Sequence, residues 1–270
     1  MNPTTPPPVL ESAPGYRINA LTGAATGTSR ELSAPLSAEI TAALSASPSG
    51  EIAVRSVDVN IPLLEKNDIL AERNRGYFLG RGLAALNLVS SPGAGKTTLL
   101  ERTLDEFGRQ TKCAVLVGDL ETDNDGRRLS RPHAPVAQIT TGTVCHLDAG
   151  MIARAAQSIN LDGVRVLFIE NVGNLVCPAS FDLGEQVRVV LLSTTEGEDK
   201  PLKYPPIFKS AHLVLLTKVD VADVLGFKRD VAVENIRRIA PQARIIQLSA
   251  RTGEGLAEWY SFLDGISGRV

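Results

Sequence analysis

Residues 86–100 read Leu-Asn-Leu-Val-Ser-Ser-Pro-Gly-Ala-Gly-Lys-Thr-Thr-Leu-Leu, an apolar run that ends in a turn of small residues and resumes with helical spacing. The pattern predicts a strand over 86–89, a phosphate-binding loop over 90–95 and a helix over 96–106. The backbone N–H groups of such a loop and the positive end of the helix dipole bind a polyphosphate. The stretch therefore predicts the P-loop of a nucleotide-binding protein.

Individual residues of this stretch have separate predicted roles. Gly93 and Gly95 let the backbone face the phosphates. Lys96 reaches the outer phosphates and acts in catalysis, and the Thr97 hydroxyl is a ligand for Mg²⁺. Ser90 stands where the pattern GxxxxGK[ST] has glycine, and an ordinary glycine-containing turn is the competing interpretation. The predicted phosphate-contacting set is Pro92, Gly93, Ala94, Gly95, Lys96, Thr97 and Thr98.

Composition places few constraints on function beyond excluding some partners. The chain has 270 residues, and its 28 Lys and Arg nearly balance its 30 Asp and Glu. No bulk charge draws it to nucleic acid or to an anionic membrane, so neither is an expected partner. No apolar run has the length of a membrane span, and the N-terminus lacks the pattern of a signal peptide. A cytoplasmic location is the resulting prediction.

Three regions follow from the sequence pattern. Residues 1–50 are rich in Pro, Ala, Ser and Thr, which predicts a disordered tail with at most a short helix over 37–44. Apolar residues recur with helical spacing in 51–84, and this helical segment should pack on the domain that follows it. Residues 85–270 form the predicted P-loop domain.

The P-loop domain contains a regular alternation of strands and helices. Beyond the first strand, strands are predicted over 113–119, 135–140, 164–170, 187–193, 212–218 and 243–248. Seven strands alternating with helical segments predict an α/β fold with a mainly parallel sheet covered on both faces. Ligands bind such sheets at the carboxyl ends of the strands.

Two strands end in a carboxylate at that edge. Asp119 and Glu170 are the candidates for holding Mg²⁺ and orienting an attacking water, with Asp119 as the predicted Mg²⁺ ligand beside Thr97; which carboxylate orients the water stays open. Glu170 begins Glu-Asn-Val-Gly, which resembles the ExxG form of the Walker B element. The backbone N–H of Gly173 can approach the γ-phosphate, so the loop that follows should respond to that phosphate.

Two later stretches have the form of base-recognition elements. Thr217-Lys-Val-Asp220 resembles the [NT]KxD pattern of GTPases, in which the aspartate accepts two hydrogen bonds that guanine offers and adenine does not. An unpaired buried acceptor costs ~1–3 kcal/mol, so Asp220 favours GTP over ATP. The backbone of Ser249 and Ala250 should meet the base carbonyl. A solvated strand end is the competing interpretation of 217–220. The predicted base-contacting set is Thr217, Lys218, Asp220, Ser249 and Ala250.

A cysteine and histidine group forms a predicted metal site. Cys145 and His146 are adjacent, and Cys177 lies four residues beyond Gly173, so a thiolate–imidazole–thiolate site would move with the loop after Glu170. This donor set suits Zn²⁺ or Ni²⁺. A fourth ligand from Asp148, a water or a second copy of the chain are open alternatives. The third cysteine, Cys113, is interpreted as a core residue, since the odd count argues against disulfides.

The motifs in their order resemble the HypB family of hydrogenase nickel-incorporation GTPases. The matching strings are SSPGAGKTTLL, GDLETDND, CHLDA, ENVGNLVCPA, EGEDKPLKYP, TKVD and SARTGEG, from about Ile61 onward. The resemblance implies a GTPase of the signal-recognition and MinD-like (SIMIBI) class that delivers nickel to [NiFe]-hydrogenase precursors. It also implies metal binding at Cys145, His146 and Cys177, and a GTP-dependent homodimer. The implied partners are a nickel chaperone of the same pathway and the hydrogenase large subunit.

Two features limit this interpretation. Residues 1–60 contain neither Cys nor His, so no nickel-storage function is predicted there. Thr217 replaces the commoner asparagine of the guanine motif. Two other functions stay open: a related accessory GTPase for urease or a cobalamin enzyme, and a nucleotide-switched regulatory module whose cysteines hold a structural zinc ion.

Overall fold

A central sheet organises the computed structural model, which describes residues 17–21, 60–121, 124–131 and 134–268. Within those residues eight strands form one sheet: β1 (Arg17–Leu21), β2 (Ala84–Ser90), β3 (Cys113–Asp119), β4 (Val136–Thr140), β5 (Val166–Glu170), β6 (Val187–Ser193), β7 (Leu213–Thr217) and β8 (Arg244–Gln247). Their spatial order is β1-β4-β3-β5-β2-β6-β7-β8. All neighbours are parallel except β1, which runs antiparallel to β4. The predicted mainly parallel α/β sheet is confirmed.

Helices cover both faces of this sheet. They are α1 (Asn60–Gly80), α2 (Lys96–Glu106), α3 (Asn124–Leu129), α4 (Ala149–Ser158), α5 (Lys200–Lys203), α6 (Pro205–Lys209), α7 (Arg229–Ile239) and α8 (Leu256–Ser267). Short 3₁₀ helices lie at Phe107–Arg109, Cys177–Ser180 and Val219–Val221. No helix in the described part of the chain is both long and apolar enough to span a membrane.

The central strand β2 shows how burial on both faces follows from the sequence. All seven of its residues are buried, and successive side chains point to opposite faces. Leu86 and Leu88 pack in a cluster with residues of α2 and α8. Ala85 packs with α1 and α4, and Val89 packs with α6 and α7. The strand that precedes the P-loop is therefore held from both sides.

The C-terminal helix α8 packs directly on the P-loop helix α2. Trp259, the single tryptophan of the chain, is fully buried, and its indole N–H donates to Thr103 Oγ1 of α2 at 3.0 Å. Its ring lies 6.4 Å from that of Phe168 in β5. The Trp259 side chain thus contacts the sheet through Phe168 and holds α2 through Thr103.

The strand β1 corrects the prediction that residues 1–50 form a disordered tail. It pairs with β4 from Arg17 opposite Thr140 to Leu21 opposite Val136, and the Ile18 side chain is buried. An edge strand depends on the unpaired backbone groups of its neighbour, which local composition does not reveal. The prediction is wrong for these 5 residues. The rest of 1–50, including the short helix predicted over 37–44, and residues 51–59 lie outside the described residues.

The connection between β5 and β6, residues 171–186, is called the β5–β6 loop below because it carries Gly173 and Cys177. It packs against α1, where Asn74 Nδ2 donates to Leu183 O at 3.0 Å and to Ala149 O at 2.8 Å. Gly184 makes the closest approach: its φ is +84°, and an added Cβ would lie 2.5 Å from the Ala71 carbonyl oxygen. The C-terminal part of the loop, around Leu183 and Gly184, is therefore packed tightly on α1.

Replacing Gly184 by Ala should lower the free energy of unfolding more than replacing Gly226 by Ala. Both glycines have a positive φ, +84° and +66°, so alanine costs about 1–2 kcal/mol at either position. An added Cβ at Gly226 meets nothing within 4 Å, whereas one at Gly184 collides with α1, and overpacking costs about 1–3 kcal/mol more. Chemical denaturation measures both losses. Equal losses would contradict the tight contact.

Candidate functional site

The turn between β2 and α2 has the backbone of an anion-binding loop. Gly93 and Gly95 have φ angles of +74° and +98°, which residues with a Cβ rarely adopt. Helix α2 then begins at Lys96, and the first N–H groups of a helix have no partner within it. The loop and helix together therefore provide free donors for a phosphate.

Lys96 is folded back over this loop and is buried. Its Nζ donates to Ser90 Oγ at 2.8 Å, so the serine that departs from the glycine pattern supplies the acceptor. Burial lowers the pKa of Lys96, and four carboxylates oppose that shift: Glu170, Asp125, Glu196 and Asp119. A buried ammonium of this kind is stabilised by an anionic ligand.

The carboxyl group of Glu170 contacts the first turn of α2. Its Oε1 accepts a hydrogen bond from Thr97 Oγ1 at 2.7 Å. Its Oε2 is buried and has no hydrogen-bond partner among the described residues. Burial raises the pKa of Glu170 to about 7, although Lys96 and the bond from Thr97 act against that shift. Such an orphaned acceptor indicates that a donor or a cation belongs nearby.

The oxygen atoms at this edge fit Mg²⁺, which prefers oxygen ligands. Thr97 contributes a hydroxyl, and Glu170 contributes the orphaned carboxylate oxygen. Asp119 lies on the adjacent strand, because β3 places Val117 opposite Glu170 and Asp119 two residues further toward the carboxyl edge. One Asp119 oxygen accepts the N–H of Leu120 at 2.5 Å. The three predicted side chains thus lie at one sheet edge.

A cavity of about 200 Å³ lies beside the P-loop. The five predicted base-contacting residues all line it: Thr217, Lys218, Asp220, Ser249 and Ala250. Thr217 Oγ1 donates to Ala94 O at 2.8 Å, and Lys218 Nζ donates to Gly93 O at 2.7 Å. These two residues therefore hold the P-loop backbone, which leaves the Asp220 carboxylate as the charged acceptor of the cavity wall.

Gly173 lies directly against the P-loop. An added Cβ at this position would be 3.0 Å from Pro92 Cα and 3.1 Å from Pro92 N. Only a glycine lets the two backbones approach this closely. The start of the β5–β6 loop is therefore in contact with the phosphate-binding segment.

Cys145, His146 and Cys177 form one cluster. Their ligand atoms lie within 4.8 Å of one another, and the two Sγ atoms are 3.0 Å apart. The hydrogen bond with Cys177 and partial burial raise the pKa of Cys145, so metal binding has to displace a proton from it. Burial lowers the pKa of His146, which keeps the imidazole neutral and able to bind a metal.

Neighbouring residues fix the orientation of this cluster. The His146 ring stacks on Phe181, with the ring centroids 3.9 Å apart, and its Nδ1 is buried without a partner among the described residues. Asp148, one predicted alternative for the fourth ligand, accepts the N–H of Met151 at 2.7 Å and caps α4. Cys113 lies apart in β3, where burial raises its pKa to about 12. Its interpretation as a core residue agrees with this environment.

One buried side chain, Asn87 of β2, holds both ends of the β5–β6 loop. Its Oδ1 accepts from Asn171 Nδ2 at 3.2 Å, and its Nδ2 donates to Glu185 Oε1 at 3.2 Å. Glu185 also accepts from Arg188 Nε at 2.8 Å and from the Leu183 N–H at 2.9 Å. The loop that carries Cys177 is thus attached at each end to the strand that leads into the P-loop.

Several of these positioning residues were not predicted from the sequence. Ser90 was noted only as a departure from the glycine pattern, although a hydroxyl side chain within the loop was a sequence sign of an acceptor for Lys96. Asn87 interrupts an apolar strand, which is a detectable sign of a buried polar contact. Asn174 and Phe181 carry no local signal, because their partners Cys145 and His146 are about thirty residues away in the chain.

Replacing Glu170 by Gln should remove a pH dependence of stability in the nucleotide-free protein. The folded state raises the Glu170 pKa from 4.5 to about 7. The stabilisation from the protonated form is therefore complete below the unfolded pKa and is lost as the pH rises through the folded one. Relative to the variant, the wild type should lose up to ~3 kcal/mol of unfolding free energy between pH ~4 and ~8, at about 1.4 kcal/mol per pKa unit.

Urea denaturation without Mg²⁺ or nucleotide, repeated over that pH range, measures this difference. Glu65→Gln, at an exposed position of α1, is the matched control and should follow the wild type. Parallel pH profiles for the wild type and Glu170→Gln would contradict the assignment of a buried, raised carboxyl group.

Comparison with known proteins identifies the family. The family description "CobW/HypB/UreG, nucleotide-binding domain" matches residues 84–247. Hydrogenase maturation factor HypB of Escherichia coli (strain K12) is 52% identical over 210 residues, which cover 78% of this chain and 72% of that protein. Hydrogenase/urease maturation factor HypB of Helicobacter pylori is 40% identical over 216 residues, covering 78% and 88% of the two chains.

Solved structures agree with these relatives. The crystal structure of HypB from Archaeoglobus fulgidus has a TM-score of 0.71 and 40% identity, and the match covers 75% of this chain and 99% of that one. The structure of HypB from Helicobacter pylori in complex with nickel has the same TM-score and identity, with 76% and 96% covered. The resemblance seen in the sequence motifs is thereby confirmed, and the chain belongs to the HypB family of hydrogenase maturation factors.

Proposed function

We propose that this protein is a GTP-hydrolysing metallochaperone that assists nickel insertion into a [NiFe]-hydrogenase precursor. One observation carries the proposal: the loop that begins at Gly173, against the P-loop, also carries Cys177, whose sulfur lies 3.0 Å from that of Cys145. Four residues span at most ~14 Å of chain. A displacement of Gly173 by nucleotide therefore reaches the metal ligands through a short, partly buried segment.

GTP is the proposed nucleotide. The P-loop donors and Lys96 bind the phosphates, and the base enters the cavity beside Thr217 and Ser249. Asp220 accepts hydrogen bonds from guanine there, which adenine cannot make, and the unpaired acceptor would cost an ATP complex ~1–3 kcal/mol. The lining of the cavity by the whole predicted set supports this assignment.

Hydrolysis is the proposed reaction. Thr97 and Asp119 would hold Mg²⁺, which supplies Lewis-acid polarisation of the phosphate oxygens when bound. Lys96 stabilises the charge on the outer phosphates, and the N–H of Gly173, which lies against Pro92 of the P-loop, would donate to the γ-phosphate. Glu170 or Asp119 orients a water that attacks the γ-phosphorus, the bond from that phosphorus to the bridging oxygen breaks, and GDP and phosphate leave.

Nickel is the proposed cargo at Cys145, His146 and Cys177, with Zn²⁺ as a competitor for the same donors. The nickel complex of the Helicobacter pylori relative supports this assignment. Three ligands leave room for a fourth from a water or a second copy of the chain, and a GTP-dependent homodimer is part of the proposal. A nickel chaperone and the hydrogenase large subunit are the proposed protein partners, and the cytoplasm is the proposed location.

Replacing Lys96 by Ala should abolish most GTP turnover, because a charged hydrogen bond to the outer phosphates is lost. Such bonds contribute roughly 1.5–3 kcal/mol, which corresponds to at least about a tenfold loss of rate. Phosphate release from GTP in the presence of Mg²⁺ measures the effect, and ATP serves as the comparison substrate. Lys209→Ala changes an exposed lysine and should leave turnover unchanged. Unchanged turnover in Lys96→Ala would refute the assigned site.

Cys145→Ala and Cys177→Ala should each weaken Ni²⁺ and Zn²⁺ binding by more than about 100-fold, since losing even an outer-shell partner costs 10–100-fold. Cys113→Ala is the matched control, because that thiol is buried away from the cluster. Competition with a chromophoric chelator, in the GDP state and with a non-hydrolysable GTP analogue, gives the affinities. Wild-type affinity should differ between the two states. Equal affinity in both states would instead indicate a structural zinc site.

A further inference from the structure

Asn174 connects the nucleotide-contacting glycine to the metal cluster. It directly follows Gly173, and it is half-buried at the start of the β5–β6 loop. Its Nδ2 donates to the carbonyl oxygen of Cys145 at 3.1 Å. Its Oδ1 accepts from the N–H of Val176, the residue before Cys177, at 2.9 Å. One side chain therefore bonds to the backbone at both cysteine segments.

The residues on either side of Asn174 pack against the rest of the protein. Leu175, next in the chain, is buried in the cluster formed with α6 and α7. The Gly173 backbone is in contact with Pro92. Asn174 thus lies between a backbone segment that contacts the P-loop and a side chain that is anchored in the core. A shift of Gly173 would move the Asn174 amide with it. The hydrogen bond from Asn174 Nδ2 to Cys145 O then transmits the shift to Cys145. Cys145 is far from the P-loop along the chain, so no short covalent path joins the two.

We infer that Asn174 is a positioning residue that sets the separation of Cys145 and Cys177 according to the nucleotide state. The inference rests on the proposed nucleotide-dependent metal binding and names the contact that produces it. When nucleotide displaces Gly173, Asn174 changes the position of the Cys145 backbone relative to Cys177. The geometry of the thiolate pair, and with it the metal affinity, changes as a result. Asn174 touches neither nucleotide nor metal in this role.

Asn174→Asp separates positioning from local turn structure. The aspartate keeps an oxygen that accepts the Val176 N–H, but it has no donor for Cys145 O. Its added negative charge raises cation affinity in both nucleotide states, so the ratio of the two affinities is insensitive to it. Asn174→Ala removes both bonds and is the second variant. Asn160→Asp is the matched control, because Asn160 Oδ1 accepts the Asp162 N–H at 2.8 Å in a similar turn on the exposed surface.

The experiment uses the full metal-free chain, loaded with GDP or with a non-hydrolysable GTP analogue and Mg²⁺. Chelator competition gives the Ni²⁺ dissociation constant in each state, and the nickel–thiolate charge-transfer absorption reports the geometry of the site. In Asn174→Asp and Asn174→Ala the ratio of the two constants should fall to about one, since the coupling free energy is lost. The absorption spectrum should no longer depend on nucleotide. Asn160→Asp should keep the wild-type ratio and spectra.

The outcomes separate this inference from the function on which it rests. A wild-type ratio of about one would overturn nucleotide-dependent metal binding itself, and the inference with it. A wild-type ratio that differs from one and persists in both Asn174 variants would overturn only the role of Asn174. Loss of the ratio in Asn160→Asp as well would also overturn it, because any altered turn would then have the same effect. Circular dichroism and nucleotide binding confirm that each variant is folded.

Discussion

The two hydrogen bonds of the buried Asn87 side chain attach both ends of the β5–β6 loop to the strand that leads into the P-loop. A buried amide that satisfies partners on two segments fixes their relative position, since breaking either bond leaves a desolvated polar group. The Glu185 end is further held by Arg188. Any displacement of the loop therefore has to occur between these two attachment points, in the stretch that contains Gly173 and Cys177.

The electrostatics of the nucleotide-free site favour ligand binding. Lys96 and Glu170 are both buried at the P-loop. Burial lowers the pKa of Lys96 and raises that of Glu170, so it favours the neutral form of each side chain. Phosphates beside the ammonium and a cation beside the carboxylate would relieve both costs together. The hydroxyl of Thr97, the residue after Lys96, donates a hydrogen bond to Glu170. The same pair of buried charges would therefore favour the binding of a nucleotide together with a metal ion.

Most of the sheet was predictable because buried parallel strands are continuous apolar runs. The predicted strands 113–119 and 187–193 agree with the structure at both ends, as does the predicted helix 96–106. The P-loop and the CH and NVGNLVC strings predicted residues that the structure brings together, since the carboxyl ends of parallel strands lie at one edge of a sheet. Strand β1 was missed because an edge strand is defined by its neighbour. The Phe181–His146 stack was missed because it depends on the path of an aperiodic loop.

The single tryptophan has a consequence for observing this molecule. Trp259 is fully buried between α8, the sheet and α2, and its indole N–H donates to Thr103, two turns into the P-loop helix. Its emission therefore comes from one dry environment on the face of the sheet opposite to α1 and the β5–β6 loop. Tryptophan fluorescence consequently reports the integrity of the part of the protein formed by α2, α8 and the sheet face between them. No added label is needed for this measurement.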